Sequence, residues 1–194
     1  MFEEVLGSSE SLFVVVSSTA VTRGGFRLRG YAGSTGRIDV IARCIVASQL
    51  SSDSGFVGVL LGPPSPPKVL VVKPACLGGG VSEKGVVLEI SRALKYERTR
   101  CMEVLDLDVE RLIHLIGRSG FRHVLLREDG VNIFTKPELV SGRVAFYLGS
   151  HVDMPRWVED LLESRGATVV SVGPHSLHSE HVILAILMLR GVLG

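Results

Sequence analysis

The sequence has few cysteines, few aromatic side chains and no excess of charge of either sign. Its three cysteines, Cys44, Cys76 and Cys101, are widely spaced and form no C-x-x-C pair. This spacing argues against a disulfide framework and a zinc ribbon, and it suits a reducing cytoplasm. Because 21 basic residues face 20 acidic ones, no strong overall field attracts nucleic acid. Any surface that binds a polyanion must therefore be local.

No segment predicts secretion or a membrane span. The acidic start MFEEVLGSSE lacks the basic and apolar regions of a secretory signal. The apolar run Val182–Leu193 is interrupted by Arg190 and Gly191 and is too short to cross a bilayer. We therefore expect a cytoplasmic protein whose apolar last helix is covered by its own sheet or by a second copy. With 194 residues, 46% of them hydrophobic, a single domain over 1–194 is expected.

Apolar β-branched runs alternate with segments of helical periodicity, which predicts an α/β fold with a mainly parallel open sheet flanked by helices. The predicted helices are Gly36–Leu50, Val86–Tyr96 and Val109–Ile116, followed by one between Pro155 and Gly166 and by the apolar last helix. The predicted strands are Leu12–Val16, Phe56–Leu61, Val69–Val72, His123–Leu126, Val144–Leu148 and Thr168–Val172.

Three short segments are interpreted as connections. Glu128–Val131 contains an Asp-Gly pair between apolar residues, which predicts a hairpin and one antiparallel excursion. The run Gly62–Pro67 is rich in proline and lies between two strands, so we interpret it as a stiff loop. Leu77–Gly80 is a flexible turn before a helix and lacks the Lys-Ser/Thr of a phosphate-binding loop. None of the three is expected to carry chemistry.

Two consecutive strands near the C-terminus end in loops that contain glycine. Gly149 follows the strand Val144–Leu148, and Gly173 follows the strand Thr168–Val172. Pro155 and Gly166 mark the start and end of the helix between them. Either glycine alone indicates only a tight turn. Ligands of open α/β sheets bind beyond the carboxyl ends of the strands, so the pair indicates a ligand site.

Three motifs resemble the archaeal TrmY family of SPOUT-class RNA methyltransferases. Leu148–Val152 (LGSHV) is similar to the family's (I/L)-G-D-H-I loop, and Ser171–His178 (SVGPHSLH) to its S-L-(S/G)-P-x-x-L-H loop. Gly33–Cys44 (GSTGRIDVIARC) is similar to G-S-x-G-R-(L/M)-D-L-L-C-R-C and is the most specific match. The resemblance extends from about Phe13 to Leu193. It implies methylation of N1 of pseudouridine 54 in the tRNA T-loop, with S-adenosylmethionine as methyl donor.

The resemblance also implies a deep trefoil knot and a division of labour along the chain. Residues up to about 120 would bind RNA, and residues from about 121 would form the knotted cofactor part. The partners implied are tRNA and a second copy bound through the knot and the C-terminal helix. The chain departs from the family at Ser150, where the family has Asp, and at Val182, where it has Cys. The cofactor-binding residues implied are Leu148, Gly149, Val172, Gly173, Pro174, His175, Ser176, Leu177 and Val182.

A local basic element precedes and includes the most specific motif. Residues 23–43 contain five arginines and one acid, Asp39. Arginine suits phosphate because its planar guanidinium donates two parallel hydrogen bonds. Without the resemblance, Asp39 and Arg43 are equally well explained as an i,i+4 pair worth about 0.2–0.5 kcal/mol, and the upstream arginines as solvated loop residues. The expected RNA-binding residues are Arg23, Arg27, Arg29, Arg43 and Arg122.

Methylation of pseudouridine N1 requires removal of the N1 proton, because only the deprotonated nitrogen is a good nucleophile. A nearby base, a water relay or a cation near the developing charge would meet this need. Asp39 is the candidate base, and Arg37 is the candidate for charge stabilisation or phosphate binding. Since only 6% of the residues are aromatic, RNA recognition is expected to rely on shape and phosphate contacts.

Other functions remain open from the residues alone. His175, His178 and His181 are spaced by three, and with His151 they suggest a metal site, although no H-E-x-x-H accompanies them. Ser176 lacks the surroundings of a hydrolase nucleophile. A related SPOUT enzyme could act on ribosomal RNA pseudouridine or a ribose 2′-hydroxyl. A relative could also bind RNA or cofactor without turnover, as Ser150 and Val182 allow.

Overall fold

A seven-stranded sheet forms the centre of the protein in a computed structural model that describes residues 1–78, 80–173 and 175–191. The strand order is β4-β3-β2-β1-β6-β5-β7. All neighbouring pairs are parallel except β2–β3 and β3–β4, so the predicted mainly parallel α/β sheet is confirmed. The strands are β1 Ser11–Ser17, β2 Ser54–Leu60, β3 Lys68–Val72, β4 Met102–Leu105, β5 Arg122–Asn132, β6 Val144–Gly149 and β7 Thr168–Ser171.

Helices cover both faces of the sheet and bury two apolar clusters. α3, α4 and α7 pack on one face, and α1, α5 and α6 pack on the other. A short 3-10 turn, Pro137–Val140, precedes β6. The helices are α1 Phe2–Ser8, α2 Tyr31–Ser34, α3 Ile38–Ser48, α4 Glu83–Tyr96, α5 Val109–Arg118, α6 Arg156–Ser164 and α7 Ser179–Leu189.

The predicted hairpin at Glu128–Val131 is wrong. This segment lies inside the single strand β5, which pairs with β7 in parallel and has a bulge between Leu126 and Val131. A Cβ on Gly130 would lie 2.4 Å from the carbonyl carbon of Val170, so glycine is needed for the close approach of the two strands. The antiparallel part of the sheet is instead formed by β3 and β4.

The expectation that the cysteines form no disulfide is also wrong. Cys76 and Cys101 are bonded, with their Cα atoms 5.5 Å apart. β3 and β4 are antiparallel neighbours, and the Lys73 N–H donates to the Cys101 carbonyl at 3.0 Å, which brings the two cysteines together. Chain spacing alone does not reveal this proximity. Cys44 is a buried free thiol on α3.

The apolar last helix is covered by the chain itself over much of its surface. Val182, Ile183, Ile186 and Leu187 of α7 are buried in the cluster that includes α3, whereas Met188 is 65% exposed. Within the described residues, no helix has the length and apolar character that a membrane crossing needs.

Candidate functional site

A pocket of about 690 Å³ lies at the carboxyl ends of the neighbouring strands β5, β6 and β7. It lies where the two glycine-containing loops were predicted to meet. Of the residues predicted to bind a cofactor, only Pro174 lies outside the described residues. The other eight all line the pocket: Leu148, Gly149, Val172, Gly173, His175, Ser176, Leu177 and Val182.

The loop after β6 is held by close backbone packing. A Cβ on Gly149 would lie 2.6 Å from the Val152 carbonyl oxygen, so a larger residue would displace the loop. The Ser179 hydroxyl, at the start of α7, lies within hydrogen-bond distance of the Gly149 and Ser150 carbonyls, at 2.8 and 2.6 Å. The first turn of α7 therefore fixes the floor of the pocket.

The remaining wall of the pocket comes from residues that the motifs did not identify. Leu126, Arg127 and Glu128 of β5 line it, together with Met154 before α6. Arg127 is held by carboxylates, with Nη1 at 2.8 Å from Glu163 Oε1 and Nε at 2.6 Å from Asp129 Oδ1. The rule that ligands bind at the carboxyl edge of parallel strands would have identified β5 if its place beside β6 had been known.

Arg37 and Asp39 form a bidentate ion pair at the start of α3. Arg37 Nε donates to Asp39 Oδ1 at 3.0 Å, and Arg37 Nη2 donates to Oδ2 at 2.9 Å. The Asp39 side chain is only 6% exposed, whereas that of Arg37 is 42% exposed. Burial alone would raise the pKa of Asp39, but hydrogen bonds from Arg37 and Arg43 outweigh it and hold that pKa below its usual value. Asp39 is therefore a weak proton acceptor.

Arg43 is the centre of an ion cluster that joins three helices. It donates to Glu180 Oε1 of α7 at 2.8 Å, to Asp39 Oδ2 of α3 at 3.1 Å and to Glu83 Oε2 of α4 at 3.3 Å. Its side chain is 30% exposed. Of the two interpretations of Arg43, as an RNA contact or as an intramolecular partner, this geometry favours the second.

The remaining predicted RNA contacts do not share one surface. Arg23, Arg27 and Arg29 are exposed on the segment after β1, and the side chains of Phe26 and Leu28 pack against the core between them. Arg122 is the first residue of β5 and lies at the end of that strand opposite the pocket. Its guanidinium donates to the Ser141 carbonyl. Arg122 therefore lies apart from the other three arginines, and its role in RNA binding stays a prediction.

Comparison with known proteins identifies the family. The profile of a family described as SAM-dependent RNA methyltransferase matches residues 10–191. The tRNA (pseudouridine(54)-N(1))-methyltransferase of Aeropyrum pernix is 41% identical over 183 residues, which cover 93% of this chain and 94% of the relative. The chain belongs to this methyltransferase family.

A second relative and a solved structure agree with this assignment. The enzyme of the same name from Pyrococcus abyssi is 32% identical, covering 89% of this chain and 93% of its own length. The structure of Archaeoglobus fulgidus Nep1 bound to S-adenosylhomocysteine matches with a TM-score of 0.64 at 19% identity. The match covers 94% of this chain and 96% of that chain, and at this identity it shows the fold.

The pocket suits the methyl donor of this methyltransferase family. Its volume is within the range of small-molecule sites. Leu148, Val172 and Leu177 line it with apolar side chains, and the Gly149 backbone lies in a cradle that a Cβ would fill. Val182 of α7 also lines the pocket.

The structure does not gather the histidines into a metal centre. Within the described ranges, no group of three or more histidine, cysteine or acidic side chains could hold a metal ion. The rings of His178 and His181 meet edge to face, with centroids 5.6 Å apart.

Proposed function

We propose that this methyltransferase transfers the methyl group of S-adenosylmethionine to N1 of pseudouridine 54 in tRNA. The observation that carries the proposal is the 41% identity, over 93% of the chain, to a tRNA (pseudouridine(54)-N(1))-methyltransferase. The pocket and the Arg37–Asp39 pair support it, because the pocket supplies a place for the donor and the charge of Arg37 acts on His151 of that pocket.

In this proposal the glycine-containing loops hold the methyl donor mainly through backbone groups. The predicted cofactor-binding residues that line the pocket are proposed to contact the methyl donor. For Pro174, which lies outside the described residues, this role stays a prediction. Because backbone groups do not depend on the side chain, this mode of binding tolerates Ser150 and Val182 at the positions where the resemblance implies Asp and Cys. S-adenosylmethionine supplies an activated methyl group, so the protein's task is to position the nucleophile and manage its proton.

Arg37 is proposed to stabilise the negative charge that develops on the target base, or to hold its phosphate. Asp39 enters the proposal as the residue that fixes Arg37, because its carboxylate is buried and already accepts hydrogen bonds from two arginines. We therefore revise the sequence-based choice of Asp39 as the base.

Arg23, Arg27 and Arg29 are proposed to bind tRNA phosphates. They lie on one exposed segment, and no ion pair of theirs is formed within the described part of the chain. Few aromatic residues are available for stacking, so charge and shape would dominate recognition.

The higher-order features implied by the resemblance are also proposals. We infer a single domain, a cytoplasmic location from the tRNA substrate, and a homodimer in which α7 takes part. We also infer the deep trefoil knot, from the resemblance; the structure itself shows that the C-terminal helix is held at both ends. Ser179, at its start, is held by the loop after β6, and Arg190, just beyond its end, donates to the carbonyls of Val140 and Gly142.

The proposal is tested by methyl transfer from radiolabelled S-adenosylmethionine to two T-loop transcripts, with pseudouridine or uridine at position 54. Labelling of the pseudouridine transcript alone supports N1 methylation. Labelling of both transcripts would indicate a ribose 2′-hydroxyl target, and labelling of ribosomal RNA alone a related SPOUT activity. Binding of the cofactor, measured by calorimetry, with no labelling of any RNA would indicate a binding protein without turnover.

A further inference from the structure

His151 lies between the donor pocket and the segment of the chain that leads to Arg37. Its ring lines the pocket in the loop that follows β6. Its Nε2 atom is 3.5 Å from Thr19 Oγ1, and Thr19 Oγ1 donates to the Gly36 carbonyl at 2.9 Å. A Cβ on Gly36 would lie 1.8 Å from the Thr19 carbonyl oxygen, so the segments around Thr19 and Gly36 are tightly packed. Through His151, the loop after β6 therefore contacts the segment leading to Arg37.

The reaction needs a proton acceptor that Asp39 does not provide. The Asp39 carboxylate is buried and is bonded to Arg37 and Arg43. If the target base enters between the donor pocket and the Arg37 guanidinium, as the proposed function requires, the acceptor must lie there too. An imidazole is well suited to this task, because its usual pKa lies near neutrality.

We propose that the His151 imidazole accepts the N1 proton of the target pseudouridine, an inference that rests on the methyl transfer proposed above. The N1–H bond breaks and its proton passes to the unprotonated ring nitrogen of His151. The electron pair left on N1 forms the new bond to the methyl carbon. The carbon–sulfur bond breaks with its electron pair going to sulfur, which leaves S-adenosylhomocysteine, and the imidazolium then releases its proton to water.

The ring is free to meet a substrate. Among the described residues its two nitrogens make only long contacts, Nδ1 at 3.3 Å from Ser150 Oγ and Nε2 at 3.5 Å from Thr19 Oγ1. The side chain is exposed. A base turned out of its stack into the pocket, as base-modifying enzymes require, would replace one of these weak contacts.

The charges around His151 favour its neutral form. Burial of part of the ring and the positive charge of Arg37 lower the pKa of His151 from its usual value of 6.5, and the opposing effect of Asp39 is smaller. The neutral imidazole is the proton acceptor, so acceptor capacity is present above this lowered pKa and is lost as the pH falls through it. The other ionisable groups that line the same pocket are Arg127, Glu128, Asp153, Arg156, Glu159, His175 and His178.

A kinetic test compares His151→Gln with wild type and with His114→Gln, an exposed histidine of α5 that does not line the pocket. Single-turnover methylation of the pseudouridine transcript is followed from pH 5 to pH 9. For His151→Gln we expect a loss of about 10²-fold at neutral pH, and the fall in rate on the acid side should disappear. His114→Gln should match wild type. An unchanged rate and acid limb in His151→Gln would overturn the assignment.

A second readout does not depend on turnover. The ring titration of His151 is followed by NMR in complexes with S-adenosylhomocysteine and either the pseudouridine or the uridine transcript. Pseudouridine N1–H can donate to the neutral ring, so its complex should titrate about one unit lower than the uridine complex, which presents a C–H at that position. Equal titrations would overturn the role of His151. If wild type shows the shift but transfers no methyl group, the proposed function fails and the proton-acceptor site stands.

Discussion

The side chains of Arg37 and Asp39 form two hydrogen bonds with each other although only one residue separates them in the chain. Arg37 Nη2 lies 2.9 Å from Asp39 Oδ2, and Arg37 Nε lies 3.0 Å from Asp39 Oδ1. The left-handed backbone of Arg37, at φ 68° and ψ 41°, turns its side chain towards the first turn of α3. A non-glycine residue in this region costs roughly 1–2 kcal/mol. Such strain is concentrated at functional sites, which supports the role proposed for the pair.

Removal of the Asp39 charge should slow methyl transfer without weakening donor binding. We expect Asp39→Asn to lower the single-turnover rate roughly 10²-fold, because a small displacement of a positioned group has that effect. S-adenosylmethionine affinity from calorimetry should not change. The matched control is Glu110→Gln, which removes an exposed carboxylate of α5 that pairs with Arg165. This variant should stay active. A fully active Asp39→Ala variant would remove Asp39 from the site.

The arginines after β1 should determine the salt dependence of tRNA binding. Neutralising Arg23, Arg27 and Arg29 to glutamine should reduce the slope of log affinity against log salt by about one for each phosphate that the variant no longer binds. The control is Arg111→Gln, an exposed arginine on α5. Filter binding at several salt concentrations measures both slopes. If the triple variant keeps the wild-type slope, these residues are solvated loop residues only.

Arg43 should contribute to folding stability through its three carboxylate partners. Arg43→Met leaves Glu180, Asp39 and Glu83 without this donor, and we expect a loss of about 1–3 kcal/mol in the free energy of unfolding. Urea denaturation measures the change. Arg165→Met, which removes an exposed pair with Glu110, should cost under about 1 kcal/mol. Equal effects of the two substitutions would contradict the structural role of Arg43.

The disulfide should stabilise the segment that contains α4. Cys76 and Cys101 close a loop with a sequence separation of 25 residues, for which the chain-entropy relation gives about 3.5 kcal/mol. Reduction or Cys76→Ser should lower the free energy of unfolding by about this amount. Thiol titration in denaturant should find one reactive cysteine before reduction and three after it. Three thiols in the unreduced protein would show that the bond does not form.

Local pattern predicted much of the fold, and pairing across the chain accounts for what it missed. All six predicted strands and all five predicted helices are present, because burial imposes a regular spacing of apolar residues. β4 was missed, since its four residues include Glu103 and are too few to show alternation. The hairpin prediction failed because Asp-Gly indicates a turn only when no neighbouring strand, here β7, requires the glycine.

The site shows the same difference between features that follow from local pattern and features that depend on contacts between distant parts of the chain. The pocket followed from Gly149 and Gly173, because the edge at which parallel strands end can be inferred from strand order. The partners of Arg43 could not be inferred in this way, since Glu83 and Glu180 are 40 and 137 residues away. The place of Ser179 beneath the loop after β6 is equally hidden in the sequence. Such contacts depend on how helices cross the sheet.

The most direct test of the proposed activity is nucleoside analysis by mass spectrometry after methylation of two tRNAs. One carries pseudouridine at position 54, and in the other the pseudouridine is moved one nucleotide away. We predict N1-methylpseudouridine from the first tRNA alone. No methylated pseudouridine from either tRNA, or equal amounts from both, would contradict the proposed function.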